Sequence, residues 1–150
     1  MAHTIFNQRD RQDLLDRLSR LKPDSERQFG KMTPAQMICH LKDSLELAQG
    51  KITAKSKNNR VMQNPLMRWL LIYVLPWPKG KAQTSPELLA TKPAEWNSDL
   101  GNLKSQLVAV ADRGAGGSWP EHPAFGVISG RDYGALIFKH FNHHLTQFGV

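Results

Sequence analysis

The chain has one cysteine, Cys39, in 150 residues. A single thiol excludes an internal disulfide and any site built from several thiolates, and it fits a reducing compartment, the cytoplasm. Long apolar runs are missing as well. The greasiest stretch, LMRWLLIYVLPWP at residues 66–78, is interrupted by Arg68 and Pro76. A membrane span needs about 20 predominantly apolar residues. No span is therefore expected, and a buried or half-buried helix is a simpler reading than an interfacial anchor. MAHTIFNQRDRQ, residues 1–12, has no apolar h-region, so no secretory signal is expected. Zinc-finger spacing, an aromatic RNP sequence and basic-zipper heptads are absent, which argues against a nucleic-acid partner. No segment alternates in the manner of a strand.

Acidic residues are missing from one long interval. None falls between Glu46 and Glu87, where Lys51, Lys55, Lys57, Arg60, Arg68, Lys79 and Lys81 occur. The chain carries a net charge of +7, and this interval is either a solvated basic loop or a landing surface for phosphate, carboxylate or anionic lipid. What is present is otherwise ordinary: 40 % hydrophobic and 22 % charged residues suit a globular protein. A chain of this length reads as one domain, residues 1–150. It can bury roughly 68–70 % of its unfolded surface without a covalent staple.

The punctuation predicts helices joined by loops. Leu14, Leu15, Leu18 and Leu21 give residues 6–21 an apolar stripe that Pro23 ends. Thr33 and Pro34 open a second helix and Gly50 closes it. Its stripe is Ile38, Leu41, Leu45 and Ala48, with Met37, His40, Ser44 and Leu47 along the edge. Residues 51–59 and 77–86 read as loops, 65–75 as a third helix between Pro65 and Pro76, and 86–91 as a short turn. Another helix is expected from Pro93 to Asp112. After a Gly/Pro-rich connection at 113–126, Ser129 and Asp132 form a capping-box pattern that opens the last helix, which runs to about Gln147. Amphipathic helices of this kind bury their stripes on one another, which predicts an all-α helical bundle.

The last helix holds the unusual feature. In KHFNHHLTQFGV, residues 139–150, His140 and His144 fall in the inward row of Tyr133, Ile137 and Phe148, with His143 on its flank. Histidines at i and i+4 converge one turn apart, and neutral imidazole is the commonest metal ligand. His40, on the apolar half of the second helix, is a candidate third ligand. Three nitrogens from two helices leave positions open on a metal, as catalytic sites do. Core histidines satisfied by hydrogen bonds are the alternative.

Two segments also resemble a known family. GKMTPAQMICHLKDSLELAQG, residues 30–50, is similar to the second helix of DinB/YfiT-like proteins, and KHFNHHLTQFG, residues 139–149, to their closing helix. HPAFGVIS, residues 122–129, with the Gln-Phe-Gly ending, resembles a branch of small uncharacterised bacterial proteins in that superfamily. The resemblance implies an up-down-down-up four-helix bundle. It also implies a divalent metal on His40, His140 and His144, with His143 not a ligand. In relatives of this kind the metal activates a low-molecular-weight thiol or a water, for S-transfer, maleylpyruvate isomerisation or related chemistry, and homodimers are common.

Such a site carries no ligand charge, so a bound ion keeps its Lewis acidity. Imidazole suits zinc, nickel, iron and copper alike; zinc or nickel is the expectation. A general base is hard to find. Asp43 and Ser44, three and four residues after His40, are the weak candidates for orienting a ligand or water, and Asp43 is expected to face solvent. Gln147 is read either as a solvated helix end or as a partner for a ligand. Cys39 reads as a small buried residue, and the four tryptophans as core and loop anchors. Lys55 and Lys57 are candidates for receiving an anionic thiol or acidic substrate. The alternatives to a metal-dependent transferase or hydrolase are a non-catalytic metal- or ligand-binding bundle and, further off, an anionic-surface binder.

Overall fold

The computed structural model describes residues 2–80 and 84–150. Lys81, the last cation of the acid-free interval, lies outside the described residues. The fold is all-α: among the described residues there are six α-helices and no strand, only an isolated bridge between His122 and Gly126. The helices are α1 (Gln8–Arg20), α2 (Pro34–Ala48), α3 (Arg60–Gln63), α4 (Pro65–Trp69), α5 (Trp96–Asp112) and α6 (Gly130–Gln147).

The caps explain most boundaries. Thr33 and Gln36 form a capping box at α2, with Pro34 as its first residue, and Ser129 and Asp132 do the same at α6. Each satisfies amides that the first turn leaves orphaned. The helix expected from Pro93 begins three residues later, because the Glu95 carboxylate caps the Asn97 and Ser98 amides at 3.0 and 2.7 Å.

The predicted third helix is broken up. Asn64 ends α3 and caps α4, its side chain accepting from the Leu66 and Met67 amides. Pro65 keeps Asn64 extended and out of the helix. After α4 the chain widens into a π-helical turn, Leu70–Val74, closed by the Leu75 amide on the Leu70 carbonyl at 2.7 Å. The cause is visible opposite. The Lys139 ammonium of α6 donates to the Leu71 and Leu75 carbonyls, both at 2.6 Å, and the Trp77 indole N–H donates to Leu71 at 3.1 Å. In this segment Ile72 is buried, while Leu66, Trp69, Val74 and Leu75 are exposed. Trp69 is therefore no anchor of the core, contrary to expectation. No helix among the described residues is long and apolar enough to cross a membrane.

The core gathers the four long helices. Leu14 and Leu18 of α1, Ile38, Leu41 and Leu45 of α2, Leu103 and Leu107 of α5, and Phe141 and Leu145 of α6 expose no surface. Each such side chain contributes about 1.5–3 kcal/mol by leaving water. α1 packs on α5 and α6, and α2 packs on α5, α6 and a 3₁₀ turn, Pro86–Leu89. That turn, the π turn and the segment 29–32 rim a cavity over the facing sides of α2 and α6.

Candidate metal centre

His40 comes from the middle of α2, His140 and His144 from successive turns of α6. The three rings form an equilateral set, each pair of centroids 4.8 Å apart and meeting edge to face. One nitrogen from each lies within 4.8 Å of the others, so the trio can hold a metal ion. His40 and His144 are buried and His140 is half-buried at the cavity wall.

Hydrogen bonds fix which nitrogens face inward. His40 Nδ1 is 2.9 Å from the Leu88 carbonyl of the 3₁₀ turn. A carbonyl only accepts, so Nδ1 carries the proton and Nε2 presents a lone pair. His140 Nε2, 2.9 Å from His40 Nε2, must then donate to it. His144 Nδ1 is 3.0 Å from Gln147 Oε1, and Gln147 Nε2 donates to the Phe29 carbonyl at 2.8 Å. The second bond orients the amide, so its oxygen faces His144 and leaves His144 Nε2 as a lone pair. Donating the outer ring N–H to a carbonyl or amide oxygen is how proteins orient imidazole ligands. Gly30 makes room for this amide: its φ is +80°, and a Cβ there would collide with Gln147 Nε2.

Electrostatics agree with neutral rings. Burial lowers the His40 pKa, opposed by its bond to Leu88. Burial, then His40 nearby, pushes His144 down to about 3. His140 is held well below its usual value by burial and its histidine neighbours. All three are neutral near pH 7, the charge state that binds metal; His140, whose Nε2–H points at His40, would have to carry that proton on Nδ1 instead to join them.

The other predicted residues separate. Asp43 does not face solvent; it is 2 % exposed. Its carboxylate accepts from both the amide and the hydroxyl of Thr91. Packing of the 3₁₀ turn against α2 covers the face that the helical wheel assigns to water. Asp43 thereby anchors the segment that delivers the Leu88 carbonyl to His40. Ser44 lines the cavity and donates to the Leu41 carbonyl at 2.7 Å. Lys57 lines the cavity, whereas Lys55 lines a shallower groove beside Glu87, to whose carboxylate its amide donates. Cys39 is buried on α2, and burial raises its thiol pKa. Gln147 is buried rather than a solvated helix end. His143 stands at the cavity rim against the rings of Phe29 and Trp77.

Sequence reasoning missed His122, Thr91 and the Leu88 carbonyl. The first sits in a tight His-Pro-x-Phe-Gly turn, a signal that was available; the other two leave no trace in side-chain patterning. The cavity before the histidines has a volume of about 840 Å³ and, among the described residues, no Asp or Glu on its wall.

A family model described as a protein of unknown function (DUF1569) matches residues 6–149. The chain belongs to this family. Neither the curated proteins nor the solved structures contain a match to this DUF1569 member.

Proposed function

We propose that this DUF1569 chain is a single-domain, up-down-down-up four-helix bundle whose His40, His140 and His144 hold one divalent transition metal, zinc or nickel. At this centre a thiol or water is activated for S-transfer or hydrolysis on a small molecule. One observation carries the reading: the outer nitrogens of His40 and His144 are tied to oxygen acceptors, so their lone pairs converge with His140. The ion would supply Lewis acidity, lowering the pKa of what binds to it. The protein's own groups supply the rest. Leu88 and Gln147 orient the ligands, Asp43 holds the Leu88 segment through Thr91, and Ser44 offers lone pairs to a molecule in the cavity. Lys57 at the wall and Lys55 nearby favour an anionic thiol or acidic substrate. The likeness of residues 30–50 and 139–149 to DinB/YfiT-like proteins supports the same assignment and a homodimer, and the single thiol, Cys39, supports a reducing, cytoplasmic setting. A non-catalytic metal- or ligand-binding bundle is the second reading, favoured by the lack of a carboxylate on the described cavity wall.

The test is metal content by mass spectrometry of tag-free protein purified without chelator, beside a His140→Ala/His144→Ala variant. About one equivalent in the parent, absent from a variant with unchanged circular dichroism, is the expected result. A parent that arrives empty and takes up no zinc, nickel, iron or manganese would overturn the proposal.

A further inference from the structure

His122 lines the same cavity but takes no part in the histidine trio. Its position is fixed three ways. Its amide donates to the Gly126 carbonyl at 2.9 Å and its carbonyl accepts from the Gly126 amide at 2.8 Å. Its Nδ1 lies 3.1 and 3.3 Å from the Ala124 and Phe125 amides. Gly126 closes this turn at φ +69°, a conformation that other residues rarely adopt. Two amides can only donate, so Nδ1 must be the acceptor and the proton must sit on Nε2. That N–H has no partner among the described residues, on a ring at the wall of the cavity.

Two donors beside it are already used. The Tyr133 hydroxyl donates to the Pro120 carbonyl at 2.8 Å, and Ser44 to Leu41. Around them the wall is mainly apolar, with Met32, Leu47, Met62, Leu71, Trp77 and Leu136, and Lys57, Asn59 and Thr84 are among its polar members. A cavity of about 840 Å³ is in the range for small-molecule sites. The apolar part of the wall selects an apolar body, and a rigid N–H held by its loop selects an acceptor atom, since leaving it unpaired against an apolar ligand is costly.

We propose that the cavity takes a small carbonyl compound, a ketone or ester on an apolar body, whose carbonyl oxygen accepts a hydrogen bond from Nε2–H of His122. This rests on the metal-centre reading in that it names the class of molecule the centre acts on. His122 polarises the carbonyl as a neutral donor; it is not a base, because its inward nitrogen has no lone pair. Burial, with Lys57 nearby, pushes its pKa down to about 4, so it stays neutral across the physiological range.

The experiment uses a matched pair of probes, 2-acetylnaphthalene and 2-ethylnaphthalene, which differ by the carbonyl. Affinities are measured by titration on metal-free parent and on His122→Asn. Asparagine keeps an acceptor for the two loop amides in the manner of an Asx turn, but is too short to present the donor. The ketone-to-hydrocarbon affinity ratio should fall by about threefold to tenfold in the variant, the worth of one net hydrogen bond. An unchanged ratio, or a parent that binds neither probe, overturns the inference. Long-range ¹H–¹⁵N spectra of the parent supply a readout independent of the variant's folding: a proton on Nε2 at pH 7 supports it, and one on Nδ1 overturns it. Because the probe titration needs no metal, the two proposals fail separately. A parent that binds no metal but loses ketone preference in His122→Asn refutes the metal centre alone. A metal-binding parent with an unchanged ratio refutes the His122 assignment alone.

Discussion

Replacing Gln147 by leucine should uncouple the proposed metal centre from its support. The side chain is 3 % exposed and has two bonds, one to His144 Nδ1 at 3.0 Å and one to the Phe29 carbonyl at 2.8 Å. Leucine has a similar volume and makes neither. The Phe29 carbonyl is then left unsatisfied, which costs about 1–3 kcal/mol. For a domain of this size that lowers Tm by roughly 2–12 °C. His144 also loses the acceptor that holds its proton on Nδ1, and losing such a partner typically weakens a metal site about 10- to 100-fold. The effect equals about 1.4–2.7 kcal/mol. Zinc Kd would be read by competition with a chromophoric chelator, and stability by thermal melts in chelator and at fixed free zinc. Gln147→Glu separates the two roles: it keeps an acceptor for His144 but cannot donate to Phe29, so stability falls while zinc affinity is kept. A folded Gln147→Leu protein whose zinc Kd stays within about threefold of the parent would refute the reasoning.

Three other outcomes follow from the same geometry. Gly30→Ala forces a Cβ onto the Gln147 amide at a positive φ; it should destabilise by about 1–3 kcal/mol and weaken zinc binding, and normal binding in competition titrations would count against the Gly30 contact. Asp43→Ala removes the acceptor of two Thr91 donors at a buried site; chemical denaturation should show a loss of about 2–4 kcal/mol, a value below 0.5 kcal/mol contradicting its anchoring role. His122, with a folded pKa of about 4 against an ordinary 6.5, binds its proton more weakly when folded, so its contribution is full above pH 6.5 and is lost as pH falls toward 4. Metal-free parent should lose about 2 kcal/mol more than His122→Asn between pH 7 and 4.5; equal losses would show that His122 is not buried as described.

Some of this was legible in the residues and some was not. The ends of α2 and α6 could be read because their caps are local: Thr33 with Gln36, and Ser129 with Asp132, act across three residues. The histidines could be read because a four-residue step on an apolar stripe fixes a direction. Asp43 could not, because what covers it is a turn 48 residues away in sequence. The helical wheel records which side of α2 is greasy, not which side a distant turn overlies. The break of 65–75 into α4 and a π turn was hidden for a similar reason: it answers to Lys139 across the molecule. The tautomers of His40 and His122 depend on backbone groups, which carry no residue identity to read.

His40 and His140 touch across 100 residues of chain. In a protein with one cysteine, that contact occupies the place a cystine would take in a secreted fold of this size. The two kinds of tie differ in what survives unfolding. A disulfide persists in the open chain and its strength is set once, at oxidation. An ion shared by these rings would be released, so its grip would depend on how much of it the surroundings supply: about 2.7 kcal/mol at a hundredfold excess over Kd, and nothing when the ion is withdrawn. The strength of such a clasp would thus be set from outside the molecule, and the lifetime of the fold would follow the metal supply around it.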